Sequence, residues 1–295
     1  MENNTQAAAT DAALQPQDGA RGGTDFGPRD YVRDRENPDL LVSPATDKGT
    51  MPNLTFSYSD VHTRLQDGGW SREVTVRELP VSTTLAAVNM RLNGGTDKTG
   101  VRELHWHKEA EWGLVLSGSV RVTAIDADGR SFVDDVKTGN LWYFPAGIPH
   151  SIQAHPEGSE FLLIFDNGNF TENETFSVTD WFAHTPRSVL MKNFNMPAEA
   201  FKDIPKGERY IFSAPPPVSL EEARAGYPNG PSSQSYSFDV TTIPLMKLAG
   251  GQVRIVDSAS FPVSRTVATA FVEVEPGGLR ELHWHPNGDE WQYYL

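Results

Sequence analysis

Arg102-Glu103-Leu104-His105-Trp106-His107 decides how this chain is read, because the string returns residue for residue as Arg280-Glu281-Leu282-His283-Trp284-His285, 178 positions later. Upstream, Gly68-Gly69 and Leu79-Pro80-Val81-Ser82 return as Gly250-Gly251 and Phe261-Pro262-Val263-Ser264, at a separation of 182. A polar insertion near Thr96–Thr99, suited to a loop, absorbs the difference. Downstream, Glu111-Trp112 finds its partner in Glu290-Trp291. Such a repeat means two related modules in one chain.

Around the repeat the pattern is that of β-structure. Short alternating runs, EVTVREL (73–79), LAAVNMRL (85–92), SVRVTAI (119–125), LWYF (141–144) and FLLIFD (161–166), are separated by turn signals such as Asp128-Gly129 and Gly139-Asn140. Together with 25 Gly and 21 Pro, they predict an all-β chain whose modules are sandwiches or barrels. The first module spans 54–186 and the second 236–295. Helical character at 187–203 and 219–225, beside Pro215-Pro216-Pro217, marks 187–235 as a connector. Residues 1–25 read as a disordered arm and 26–53 as an extended lead-in. The first module runs roughly 70 residues past its matching point, whereas the second stops at Leu295, so its barrel is expected to be incomplete and cut within a strand at WQYYL.

Composition removes several function classes. The net charge of −14 argues against nucleic acid, which is bound by clustered Lys and Arg. No apolar run reaches the about 18 residues a membrane span needs. The N-terminus lacks the basic start and apolar core of a signal peptide, which points to a cytoplasmic protein. With no Cys, any metal site must be built from His and carboxylates. An anionic substrate would need a local positive centre, either a metal or a buried Arg.

Strand residues two apart share a face, so His105 and His107 project together while Trp106 points away. Glu111 follows closely enough to join them from the same or the next strand. Two imidazoles and a carboxylate are a sound start for a divalent metal. The fourth ligand is sought further along at His150, which ends Gly139-x5-Pro145-x-Gly147-x2-His150, a strand entering a tight turn. In the second copy His283, His285 and Glu290 correspond, with no later His to close the site. His62, His155 and His184 lack such a context and are read as structural or exposed.

These motifs carry a resemblance. His105-x-His107-x3-Glu111-x6-Gly118 and Gly139-x5-Pro145-x-Gly147-x2-His150 resemble the two cupin motifs, and Gly277-x5-His283-x-His285-x4-Glu290 resembles the first of them again. Thr99 stands where the motif has Gly in the first copy, with Gly100 adjacent. RELHWHKEAEW, GNLWYFPAGIPHSIQA, EFLLIFDNGNF and ELHWHPNGDEWQYY look like bicupin oxalate decarboxylases, a likeness running from about residue 33 onward.

The resemblance implies a bicupin of two β-barrel or jelly-roll domains that converts oxalate to formate and CO2. Ligand type alone allows Mn, Fe, Ni or Zn. The resemblance picks manganese, with dioxygen as a co-substrate in a radical mechanism and a trimer or hexamer of the full-length chain. It implies that Arg102, two residues before Leu104 and on the alternate register from His105, binds substrate and stabilises the radical anion, with Arg280 as its counterpart in the second, incomplete site. It also implies that Glu172, in the lid segment Thr171-Glu172-Asn173-Glu174-Thr175, gives a proton to the carbon left after CO2 departs. Thr171 and Glu174 depart from the small Ser residues expected beside this acid. Two other readings follow from the same residues: an oxalate oxidase, giving CO2 and peroxide, and a non-enzymatic bicupin that stores or binds a ligand.

Overall fold

A computed structural model describes residues 54–286 and 288–295; the arm and lead-in expected over 1–25 and 26–53 lie outside the described residues. In chain order the strands are β1 (Arg64–Gln66), β2 (Gly69–Val74), β3 (Ala86–Leu92), β4 (Thr99–Trp106), β5 (Glu111–Ile125), β6 (Ser131–Lys137), β7 (Leu141–Phe144), β8 (His150–Phe165) and β9 (Phe176–Ser177). Then come helices α1 (Val178–His184) and α2 (Arg187–Phe194), strand β10 (Ile211–Ala214), helix α3 (Leu220–Ala225) and strand β11 (Ser237–Phe238). The second copy of the repeat supplies β12 (Met246–Leu248), β13 (Gly251–Val256) and β14 (Thr269–Val274).

The long strands β5 and β8 pair along their length and each serves two layers. Their register shifts between Val115 and Ser117 and again between Gly118 and Val120. Bulges of this kind bend a strand and sharpen its twist. The C-terminal half of β8 and the start of β5 lie in a layer ordered β1-β2-β3-β8-β5-β7-β11. The N-terminal half of β8 pairs with β4, the end of β5 pairs with β6, and β10 extends this second layer through β4. Val120, Val122 and Ala124 of β5, with Ile152 and Ala154 of β8, are wholly buried between the layers. Burying the Val and Ile side chains among them contributes about 1.5–3 kcal/mol each.

The layers explain where the sequence pattern misleads. SVRVTAI and FLLIFD are halves of longer strands, because the bulges change the phase of alternation partway along. EVTVREL leaves the sheet at Val74, since the Thr75 N–H and hydroxyl both donate to Glu78 Oε2, at 2.9 and 3.0 Å, and close a turn. The stretch read as a connector lends β10 to β4, and the first residues of the stretch read as the second module lend β11 to β7. Over 187–203 it forms α2 and a single 3-10 turn, Ala198–Phe201.

The second copy repeats the β1-β2-β3 hairpins in register: Gln66 pairs Gly69, and Leu248 pairs Gly251. Gly69 and Gly251 have φ of 153° and 154°, and a Cβ on either would lie 2.0 Å from a carbonyl oxygen, of Arg91 or Glu273. Both turns therefore require Gly. The strand expected at WQYYL is not formed: among the described residues after Val274, no segment joins a ladder. Without a neighbouring strand the backbone there has no pairing to hold it extended. Trp291 and Tyr293 instead pack edge-on against Tyr58 of the first module, at 6.4 and 6.1 Å.

Candidate metal centre

The two layers and the turns between them bring four side chains to one point inside the barrel. His105 lies on β4 directly across from His150, the first residue of β8. Glu111 opens β5, and His107 sits in the turn between β4 and β5, where its carbonyl accepts the Gly147 N–H at 2.9 Å. One ligand atom from each of His105, His107, Glu111 and His150 lies within 4.8 Å of the others. The four residues are 3, 4, 1 and 1 % exposed, so water does not compensate their polar atoms.

Hydrogen bonding prepares these groups for a cation. Each imidazole Nδ1 faces a backbone carbonyl: His105 that of Glu103 at 2.6 Å, His107 that of Glu109 at 2.7 Å, and His150 that of Ile148 at 2.7 Å. A carbonyl only accepts, so each Nδ1 is the protonated nitrogen and each Nε2 keeps a lone pair for a metal. The Nε2 of His150 is buried with no hydrogen-bond partner among the described residues. Glu111 Oε2 stands 3.3 Å from both His107 Nε2 and His150 Nε2. Three neutral nitrogens and a carboxylate oxygen fit a divalent first-row metal.

Electrostatics agree with that donor set. Burial, and then the Arg102 guanidinium, hold His105 well below the usual imidazole range, which keeps it neutral. Burial works against the Glu111 carboxylate, but His150 and His107 outweigh it and hold the group well below the usual carboxyl range. The other oxygen of Glu111 accepts the Trp142 indole N–H at 2.8 Å. That bond depends on Gly113, since a Cβ there would lie 2.1 Å from the Trp142 ring. Phe144 stacks on His150 at 4.4 Å, and Phe165 meets His107 edge-on at 5.1 Å.

Arg102 and Glu172 close one side. Strict alternation would turn Arg102 away from His105, but the β4–β8 register shifts between these two residues and both point inward. Arg102 Nη2 donates to Glu172 Oε2 at 2.8 Å, while Nη1 is buried with no hydrogen-bond partner among the described residues. Burial alone would lower the Arg102 pKa, but Glu172 and the other anionic groups around it raise it instead, so the guanidinium stays charged.

Three residues of this wall were not singled out in the sequence. The buried Glu103 carboxylate accepts four hydrogen bonds: from the Arg209 and Tyr210 N–H groups at 2.9 and 2.7 Å, and from the Thr179 hydroxyl and N–H at 2.5 and 3.3 Å. Tyr210 has a positive φ of 56°, costly for a bulky residue, and its ring lies 4.2 Å from the Arg102 guanidinium and 3.6 Å from that of Arg64. Glu73 accepts the Glu172 N–H. Only Glu103 left a signal, its return as Glu281 in the repeat.

The cupin family matches residues 59–201 and 241–295. Oxalate decarboxylase OxdC of Bacillus subtilis (strain 168) is 54% identical over 281 residues, covering 95% of this chain and 72% of the relative. The chain belongs to the bicupin oxalate decarboxylase family. A probable oxalate decarboxylase of Arthroderma benhamiae is 38% identical to this bicupin over 282 residues, 94% of the chain and 68% of the relative. A solved structure of Bacillus subtilis oxalate decarboxylase, from work on its Mn(II) centres, matches the bicupin with a TM-score of 0.84 at 53% identity, covering 92% of this chain and 71% of that one.

The second group in this bicupin, His283, His285 and Glu290, also comes together, but all three are exposed. Glu290 Oε2 lies 3.3 Å from His283 Nε2 and forms a close pair with His285. Arg280 does not face a carboxylate as Arg102 does; its Nη2 lies 3.1 Å from His283 Nε2.

Proposed function

We propose that this decarboxylase converts oxalate to formate and CO2 at the centre formed by His105, His107, Glu111 and His150, with manganese held there and dioxygen as co-substrate. The observation that carries the reading is the buried pair of Arg102, on the strand that also supplies His105, and Glu172, 2.8 Å from it in the turn after Phe170. Hydrogen oxalate becomes formate and CO2 by losing one C–C bond and moving one proton to carbon, with no net change in oxidation level. The chain must therefore offer a cation for the substrate carboxylate and an acid for the carbon.

When bound, manganese supplies a Lewis-acid anchor for a carboxylate oxygen and, with dioxygen, one-electron chemistry. Arg102 offers its unpaired Nη1 to the substrate while Nη2 holds Glu172. Glu172 is the proton donor to the carbon that has lost CO2: its carboxylate takes up the proton of hydrogen oxalate and returns it to that carbon, and its burial keeps bulk water away. The phenylalanines around the imidazoles add a dry, low-dielectric wall, which strengthens the Arg102 interaction. In the second copy His283, His285, Glu290 and Arg280 are the corresponding groups.

No helix among the described residues is long and apolar enough to cross a membrane. A cytoplasmic location is part of the proposal, as is a homo-oligomer, trimer or hexamer. The exposed Leu104, Phe176 and Trp181 form apolar surface of the kind subunits cover. The test is the product of oxalate turnover by the manganese-loaded protein at mildly acidic pH. Formate without peroxide is expected; peroxide as the main product would make the chain an oxidase, and an empty first site would favour the ligand-binding reading.

A further inference from the structure

Glu172 is held by two different strands. Its carboxylate takes the Arg102 hydrogen bond from β4, and its backbone N–H donates to Glu73 Oε2, near the end of β2, at 3.1 Å. The Glu73 side chain is 18% exposed and is itself fixed. Arg77 closes an ion pair on its other carboxylate oxygen, and Arg77 stands on the turn that Thr75 and Glu78 close with two hydrogen bonds. A capped turn thus holds an arginine, the arginine holds Glu73, and Glu73 holds the amide of the acid.

The rest of the 171–175 segment is tied mostly to itself. The Thr171 hydroxyl accepts the Asn173 N–H, and the N–H groups of Glu174 and Thr175 donate to the Thr171 and Glu172 carbonyls. Among the described residues, no other backbone hydrogen bond joins 171–175 to a neighbouring element. Immediately after it, β9 pairs with β4, so the C-terminal end is fixed by a ladder. The N-terminal end is fixed by a side chain, which can release and re-form without breaking a sheet. Burial pushes the Glu73 carboxyl above its usual range while the Glu172 N–H pulls the other way, so the contact favours the ionised, stronger acceptor.

We propose that Glu73 is a positioning residue whose carboxylate latches the 171–175 segment over Arg102, keeping Glu172 where it can deliver its proton. The proposal rests on the reading of Glu172 as the acid. When the latch is open, Glu172 leaves the carbon, and the intermediate is oxidised onward to CO2 with peroxide from dioxygen.

Hydrogen exchange of the peptide covering 170–176, in the manganese-loaded full chain, tests the latch directly. Glu73→Ala is expected to speed exchange there about tenfold or more, as for a lost hydrogen bond to a charged group, with β3 and β8 unchanged. The same variant should shift products from formate toward peroxide. Glu73→Gln keeps an acceptor oxygen and should recover most of the protection. Unchanged exchange in Glu73→Ala overturns the proposal, as does a rise spread equally over β2, β3 and the segment. If Glu73→Ala does not fold, Arg77→Ala frees Glu73 without removing it and should give a smaller rise in the same peptide; no rise overturns the latch. A parent protein that makes no formate would sink the functional reading, while the exchange comparison still decides the latch.

Discussion

The two copies of Arg-Glu-Leu-His-Trp-His share one local geometry and differ in nearly everything else. His105 and His283 each turn Nδ1 onto the carbonyl two residues before, at 2.6 and 2.8 Å. That orientation is a property of the string. Around the first copy, β8 supplies His150, the turn after Phe170 supplies Glu172, and the segment before β10 caps Glu103. Among the described residues nothing equivalent surrounds the second copy, and its Arg280 turns toward His283. Ligand orientation is thus local, while burial, the fourth ligand and the direction of the arginine come from strands distant in sequence.

The largest test of that division is His150→Ala, which removes the histidine that, among the described residues, has no counterpart beside His283, His285 and Glu290. Metal affinity of that site should fall by more than about 100-fold, since even residues that merely support ligands are worth 10–100-fold. Metal content after equilibrium dialysis measures it. A first site that retained its metal would show that the local string suffices, and the contrast between the copies would collapse. Next comes Glu172→Ala, which leaves all four ligands in place. Formate production should fall about 100-fold or more, the usual contribution of a positioned acid, while bound manganese is unchanged. If the formate yield held, the proton would have to come from another group.

The same contrast explains what could be read from the sequence. His105, His107 and Glu111 were legible because their spacing is local, and His150 because Gly139, Pro145 and Gly147 mark the turn that delivers it. The inward turn of Arg102 was not legible, since period-two reasoning assumes a regular strand and the β4 register shift is set by pairing with β8. Glu73 and Tyr210 were hidden for a related reason. One touches the site through a backbone N–H 99 residues away, and the other lies in a stretch whose composition signals only a connector. The hairpins of the second copy were foreshadowed by Gly250-Gly251, whereas the fate of WQYYL depends on strands that local pattern does not describe.

The smallest effects come from the glutamate shared by both strings. Glu103→Ala removes the acceptor of three backbone N–H groups and the Thr179 hydroxyl in a buried position, and should cost about 3 kcal/mol in chemical denaturation. It should also raise KM for oxalate, because Tyr210 would lose the bond that holds its strained backbone and Arg102 would lose its support. Glu281 is exposed, and among the described residues its side chain has no such set of donors. Glu281→Ala should therefore change stability by less than about 0.5 kcal/mol, as for a surface position. A pair of equal costs would mean that the second string is enclosed in solution much as the first is, and the difference in burial between the copies would then lose its energetic meaning.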